Sequence, residues 1–261
     1  WQISEMFGEK KTQWKWNVEG SDAVFAFAFE NSFVKKFIYF STVSSYGAFK
    51  TNTIAHRFIE DEPFLENEYL YGVEKKAAEE CLRARYEKVK KTGNHCPQIF
   101  ILRPAAITGP RGRFMMKNRF GLQAALSGRL RASFLHRIIS FLVTVMPATN
   151  GWCRQFIHED DVMDIVTAIA YSDYSISYEA FNICPPGDSM LARDIARAVG
   201  KRVVRVSPWM VRAAFFFFWH TTRGRVPTSR GGWKFYAYPL TVDGSKLSRL
   251  LKYDYQYNSK A

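Results

Sequence analysis

Between Lys36 and Lys75 the chain passes from a short apolar run into small hydroxyl side chains, crosses a polar loop and enters a helix. No other stretch restricts the fold as much. Phe37-Ile38-Tyr39-Phe40 is too short for a helix, is aromatic and β-branched, and gives way to Ser41-Thr42 and Gly47, which predicts a buried strand ending in a turn. A helix is predicted from about Tyr69 to Lys91, with Leu70, Val73, Ala77, Cys81 and Ala84 as its inward stripe, Lys90-Lys91 in the last turn and Gly93 just beyond. Upstream, Val18, Val24, Phe25, Ala28 and Phe29 recur at helical spacing from Asn17 until Asn31-Ser32. Downstream, Gln98 to Leu102 reads as a second apolar strand ending at Arg103-Pro104. Helix, strand, helix, strand in this rhythm implies an α/β fold with a doubly wound parallel sheet.

After Pro110 the composition changes to Arg111-Gly112-Arg113 and then to mixed apolar and basic segments up to Cys153. Phe156-Ile157-His158 leads into a helix with an acidic first turn and Val162, Ile165, Val166 and Ile169 inward. Ala180 to Cys184 reads as a strand, Ser189 as the cap of a helix ending at Gly200, and Arg202 to Val206 as another strand. With 47% hydrophobic residues in 261, the chain can bury one sizeable core and a smaller lobe. The apolar runs Ile138–Ala148 and Ala213–Trp219 fall short of the roughly 20 residues that cross a bilayer. No leader pattern is seen at Trp1, and Cys81, Cys96, Cys153 and Cys184 lack metal or CxxC spacing, which reads as a reduced, cytoplasmic protein without a metal. The net charge of +13 is spread along the chain, and its helix-sized cluster at Arg83–Lys91 reads as a solvated face. The charge therefore points to an anionic small molecule or to solubility rather than to nucleic acid.

A tyrosine hydroxyl, with a pKa near 10, is a poor base at neutral pH, and a cation within about 4–6 Å can lower that value by roughly 1–3 units. Tyr and Lys at i and i+4 share a helix face, and a hydroxyl at a facing strand end could hold the oxygen of a carbinol being oxidised. The spacing alone is weak. With 13 Tyr and 17 Lys, about one Tyr-x-x-x-Lys match arises by chance, and the chain has three: Tyr46/Lys50, Tyr71/Lys75 and Tyr86/Lys90. Tyr46 belongs to the turn after the strand, and Tyr86 lies roughly 22 Å further along the helix than Tyr71. Tyr71 alone starts a helix that a strand end could face.

In order, the chain also carries Asn17-Val18-Glu19-Gly20, Ser41-Thr42 five residues before Gly47, Tyr71-Gly72-x-x-Lys75 with Glu79, Leu102-Arg103-Pro104 running to Gly109-Pro110, and Phe156-Ile157-His158 leading to Asp161. This series resembles the extended short-chain dehydrogenase/reductase superfamily, in particular the NAD-dependent epimerase/dehydratase family with its UDP-galactose 4-epimerase-like and 3β-hydroxysteroid dehydrogenase-like members. The resemblance implies a Rossmann-like parallel sheet with a smaller C-terminal substrate-binding lobe. Residues 1–112 would belong to the dinucleotide-binding domain and 113–261 mainly to the substrate lobe, with 156–184 returning to the core. It implies Tyr71 as catalytic acid/base, Lys75 on the nicotinamide ribose, Thr42 on the substrate oxygen, and Asn17, Pro104 and Ala105 on the cofactor side. Arg154 would grip the diphosphate of a nucleotide sugar, or else be a surface arginine of a basic protein, and His158 reads as a structural histidine. The cofactor would be NAD or NADP and the substrate a small anionic molecule. A homodimer stays open.

The sequence departs from this family at its beginning. No Gly-x-x-Gly-x-x-Gly turn for the cofactor pyrophosphate occurs, since Gly8 and Gly20 stand alone. The expectation is an N-terminally shortened member with an incomplete sheet, lacking two βαβ units of roughly sixty to eighty residues. Two alternatives to a nucleotide-sugar enzyme follow. One is a dehydrogenase for a steroid- or lipid-like hydroxyl, and the other is an inactive fragment or binding protein. The aromatic tract Trp209 to Trp219 has three readings: core of the small lobe, wall of an apolar substrate pocket, or peripheral membrane contact.

Overall fold

A computed structural model of the chain describes residues 1–112, 145–187, 189–198 and 200–259. The strands are β1 (Lys36–Phe40), β2 (Gln98–Pro104), β3 (Ala106–Thr108), β4 (Val145–Ala148), β5 (Cys153–Arg154), β6 (Phe156–His158), β7 (Tyr178–Ile183), β8 (Met190–Leu191) and β9 (Arg202–Arg205). The helices are α1 (Lys10–Trp14), α2 (Gly20–Glu30), α3 (Leu70–Thr92), α4 (Glu159–Tyr171), α5 (Ala192–Ala198), α6 (Pro208–Thr221) and α7 (Ser245–Leu251). The apolar and basic segments expected between Arg113 and Cys153 lie outside the described residues as far as 144.

The fold is α/β with a Rossmann-like parallel sheet ordered β1-β2-β7, in which Phe40 faces Leu102 and Leu102 faces Phe181. Parallel strands need cover on both faces, and β2 has it. Ile99 and Ile101 pack with Phe25, Phe29, Leu82 and Tyr86 of α2 and α3, whereas Phe100 and Leu102 pack with Ile157, Ile165, Ile169 and Leu247 on the opposite face. The expected inward residues of α4 hold: Ile165 and Ile169 are buried, and Val162 and Val166 pack against the same cluster.

Three local expectations are corrected. The first helix begins at Lys10 rather than Asn17, and a π-helical turn at Lys15–Glu19 joins α1 to α2. Its early inward face is polar, with Gln13 and Asn17 both bonded to Glu74, so apolar periodicity could not reveal it. The inward face of α3 is not the expected Leu70-Val73-Ala77-Cys81-Ala84 stripe. The helix buries Gly72, Glu74, Lys75, Ala78, Glu79, Leu82 and Tyr86, a face whose charged members hide it from a hydrophobicity count. Ser189 lies too far upstream to cap α5, which starts at Ala192, and there the Asp194 carboxylate accepts from the Leu191 N–H.

Candidate active site

The strand β1 ends where Ser41 donates its N–H to Leu102 O, and Thr42 then caps a 3-10 turn, Val43–Tyr46, by accepting from Ser44 N at 3.1 Å. That use of the oxygen leaves the Thr42 O–H to donate elsewhere. Gly47 closes the turn with φ +89°, and a Cβ there would meet the Phe49 ring at 2.3 Å. The helix α3 docks directly on this turn. Ser45 Oγ donates to Gly72 O at 2.9 Å, and a Cβ on Gly72 would come 3.1 Å from Ser44 O. Glycine beside Tyr71 thus lets the helix start approach the strand end closely enough to put Tyr71 and Thr42 on one cavity. The Glu66 carboxylate accepts from the N–H groups of Asn67, Glu68 and Tyr69 and fixes the loop that enters the helix.

Two cavities adjoin at this junction. One, of about 680 Å³, is lined by Tyr71, Lys75 and Pro104 together with Ser41, Tyr39 and Trp1. The other, of about 340 Å³, is lined by Thr42, Tyr71, Pro104, Ala105 and Arg154. Tyr71 and Pro104 belong to both, so the structure brings these six sequence-predicted residues to one place. Pro104 and Ala105 arrive there because β2 runs two residues past Leu102, the partner of the last residue of β1, with Ala105 N–H donating to Ile183 O.

Asn17 lies elsewhere and lines neither cavity. It is fully buried, donates to Glu74 Oε2 at 2.7 Å and exchanges two hydrogen bonds with the Gln2 backbone. It thereby holds the carboxylate immediately preceding Lys75 in the chain. Burial pushes the Glu74 carboxyl up from its ordinary pKa, against the lowering effect of its bonds to Asn17 and Gln13.

Lys75 is the charged centre of the larger cavity. Its ammonium donates to Phe40 O at 2.6 Å and lies over the Trp1 ring at 3.6 Å and the Tyr39 ring at 4.9 Å. Burial lowers its pKa to about 8, with Glu79 and Glu74 opposing the shift. Arg154, on β5, sits 5.7 Å from the Tyr236 ring and makes no ion pair among the described residues, so its charge is left to the cavity it lines.

The other motif residues serve the frame. Arg103, 5% exposed, forks onto Glu79 at 2.6–3.2 Å and also reaches Tyr46 Oη and Glu60 O, which ties α3, β2 and the post-strand turn together. Asp161 accepts from Tyr253 Oη and Gln256 N and anchors the C-terminal segment. His158 caps α4 by accepting from Asp160 N and stacks on Tyr257 with 3.9 Å between ring centroids, in keeping with its structural reading.

Sequence reasoning missed two hydroxyls. Tyr39 Oη and Ser41 Oγ are buried without a hydrogen-bond partner among the described residues, and both residues line the larger cavity beside Lys75. Their i, i+2 spacing across the end of β1 was the available signal, since extended chain places such residues on one side.

The NAD dependent epimerase/dehydratase family matches residues 3–184, and the chain belongs to this family. Among solved structures the fold is similar to dTDP-glucose 4,6-dehydratase from Bacillus anthracis in complex with NAD, with TM-score 0.59 and 14% identity over 97% of this chain and 66% of that one. It is similar as well to the Bordetella bronchiseptica enzyme WbmG in complex with NAD and UDP, with TM-score 0.60 and 19% identity over 98% and 65%. UDP-N-acetylglucosamine 4-epimerase from Methanobrevibacter ruminantium, in complex with UDP-N-acetylmuramic acid, matches with TM-score 0.59 and 18% identity over 96% and 66%. The chain thus spans about two thirds of the length of these structures. No curated protein matches it.

Proposed function

We propose that this chain carries the catalytic side of an NAD(P)-dependent oxidoreductase or epimerase of the extended short-chain class, acting at a carbinol of a nucleotide sugar. The observation behind this reading is the convergence of Thr42, Tyr71, Lys75, Pro104, Ala105 and Arg154 on two cavities joined at Tyr71 and Pro104. The chemistry supplied by a bound nicotinamide is a hydride acceptor at the carbinol carbon. Lys75 would hold the ribose hydroxyls, and the fixed turn at Pro104-Ala105 would flank the ring. Thr42 donates its O–H to the substrate oxygen. Tyr71 takes the carbinol proton as the C=O bond forms and returns it on reduction, and the Lys75 cation favours the phenolate that takes it. Arg154, without an acidic partner among the described residues, would pair bidentately with a diphosphate.

A second reading, a dehydrogenase for a steroid- or lipid-like hydroxyl, is favoured by the aromatic walls of the larger cavity, which include Trp16, Phe25 and Phe37. The Phe215–Trp219 tract offers it no support, because these residues line neither cavity at Tyr71.

Titration of NADH fluorescence tests cofactor binding first. Tyr71→Phe is then expected to lower turnover about 10²–10⁴-fold with NADH binding retained. Undiminished turnover in that variant would overturn the role of Tyr71. Arg154→Ala separates the two readings, since it should raise KM for a nucleotide sugar and leave a lipid alcohol unaffected.

A further inference from the structure

Helix α6 presents its hydrophobic residues the wrong way round for a surface helix of a globular domain. Its inner face is Phe215 and Trp219, at i and i+4, with the exposed Arg212 at its edge. Phe215 packs on Tyr236 at 5.3 Å, Trp219 on Phe7 at 5.4 Å, and the Arg212 guanidinium lies 5.8 Å from the Trp233 ring. The outer face begins at Trp209 and Met210 and continues through Phe216 and Phe217, seven and eight residues after Trp209. Trp209 is 69% exposed, Phe216 68% and Phe217 60%. A helix that is apolar all round normally lies inside a core or a membrane, and here only Trp219 is buried.

The surroundings are polarised in charge. From Ile195 to Val242, 48 residues contain nine Lys or Arg and no Asp or Glu. All seven arginines of the stretch are exposed: Arg197, Arg202, Arg205, Arg212, Arg223, Arg225 and Arg230. The nearest carboxylates are already engaged, Glu68 with Lys234 at 2.9 Å and Glu5 with Lys10 at 3.1 Å. An aromatic face flanked by unneutralised arginines matches an anionic bilayer, where rings enter the boundary of headgroups and acyl chains and each cation near the surface meets lipid phosphate.

We propose that α6 and its arginine-rich flanks form a docking surface for an anionic lipid bilayer, which would hold the chain at a membrane face without spanning it. No helix among the described residues is long and apolar enough to cross one. A second copy of the chain suits this surface poorly. A two-fold contact sets the same patch against itself, and the acid-free stretch would then oppose arginine with arginine. Single-stranded nucleic acid also attracts arginine, but its stacking platforms follow a groove, whereas these rings project together from one helix.

The test is cosedimentation of the whole 261-residue chain with phosphatidylcholine vesicles, with and without phosphatidylserine, at low and raised salt. The chain should pellet with the serine-containing vesicles at low salt and much less with the neutral ones. Phe216→Ser/Phe217→Ser and, separately, Arg223→Glu/Arg225→Glu should each weaken vesicle binding about tenfold or more. The arginine pair keeps the test decisive if the phenylalanine pair disturbs folding. Several results would overturn the proposal: equal pelleting of all three proteins, no pelleting with phosphatidylserine, or tighter binding to a single-stranded oligonucleotide than to vesicles. A dimer by light scattering that the phenylalanine pair abolishes would do the same.

Discussion

Two helices, α3 and α6, depart from the inside–outside rule in opposite directions. The helix α3 is polar in composition yet turns Glu74, Lys75 and Glu79 inward, whereas α6 is the most aromatic segment of the chain yet leaves Trp209, Phe216, Phe217 and Phe218 exposed. Buried charge and exposed aromatic surface are the informative exceptions to ordinary burial. In α3 every inward charge has a defined partner: Glu79 has Arg103, Glu74 has Asn17 and Gln13, and Lys75 has Phe40 O and two aromatic rings. In α6 the outward rings contact chiefly one another and His220. The first helix spends folding energy on a site, and the second withholds apolar area from the fold.

If the inward charges of α3 are held by their partners, removing one partner should be costly. Glu79→Ala strands the Arg103 guanidinium in a site where it is only 5% exposed, and the expected loss is about 3–5 kcal/mol in urea unfolding. Glu79→Leu combined with Arg103→Met should recover much of that loss. A cost below about 1 kcal/mol for Glu79→Ala would mean that the fork contributes little and that packing alone holds α3 on β2.

A smaller effect is expected from Lys75. Its pKa falls from the ordinary 10.5 to about 8 because burial disfavours the cation. Between those values the unfolded chain keeps the proton and the folded chain has lost it, so this group's contribution to stability rises with pH across the window. Below pH 8 the buried cation carries its full penalty, about 3 kcal/mol from the size of the shift. The stability of the native chain minus that of Lys75→Met should therefore climb between pH 8 and 10.5. Taking the difference cancels the opposite trend of Tyr39, Tyr255 and Cys184, whose burial raises their pKa values and which lose stability as the solution turns alkaline. A flat difference would show that Lys75 stays hydrated in the folded chain.

The same contrast explains what could be read from the sequence. The place of β1 (of which only Tyr39 is buried, against the expected buried strand), the extent of α3 with Gly93 in the left-handed conformation just past its end, and the inward face of α4 follow from local rules that tertiary structure does not override. The meeting of Thr42, Tyr71, Lys75, Pro104 and Ala105 in one place follows from strand ends and a tight Tyr-Gly-x-x-Lys helix start, which fix their positions through the backbone. The inward face of α3 was not legible, since hydrophobic periodicity cannot register a face made of Glu74, Lys75 and Glu79. The start of the first helix was hidden for the same reason, its inward residues being Gln13 and Asn17. Nor could spacing show that Ser41 and Tyr39 carry unpaired hydroxyls, because a missing partner is a property of the assembled fold. In α6 the apolar composition fitted a core helix as well as an exposed one, and only packing separates the two.

The smallest expected effect tests α6. Ser and Phe have similar helix propensities, so Phe216→Ser/Phe217→Ser should change unfolding free energy by only about 0.5 kcal/mol per site if both rings face water. Trp219→Ser, in the last turn of the same helix, removes a ring packed on Phe7 and should cost about 3–5 kcal/mol. Urea midpoints of the two variants measure both quantities in one series. Comparable losses would mean that the outer face is covered in solution, and α6 would then be an ordinary core helix. A large loss for Trp219→Ser beside a negligible one for the phenylalanine pair would show that folding does not account for those two rings. Their retention on the surface would then have to be explained by what binds there.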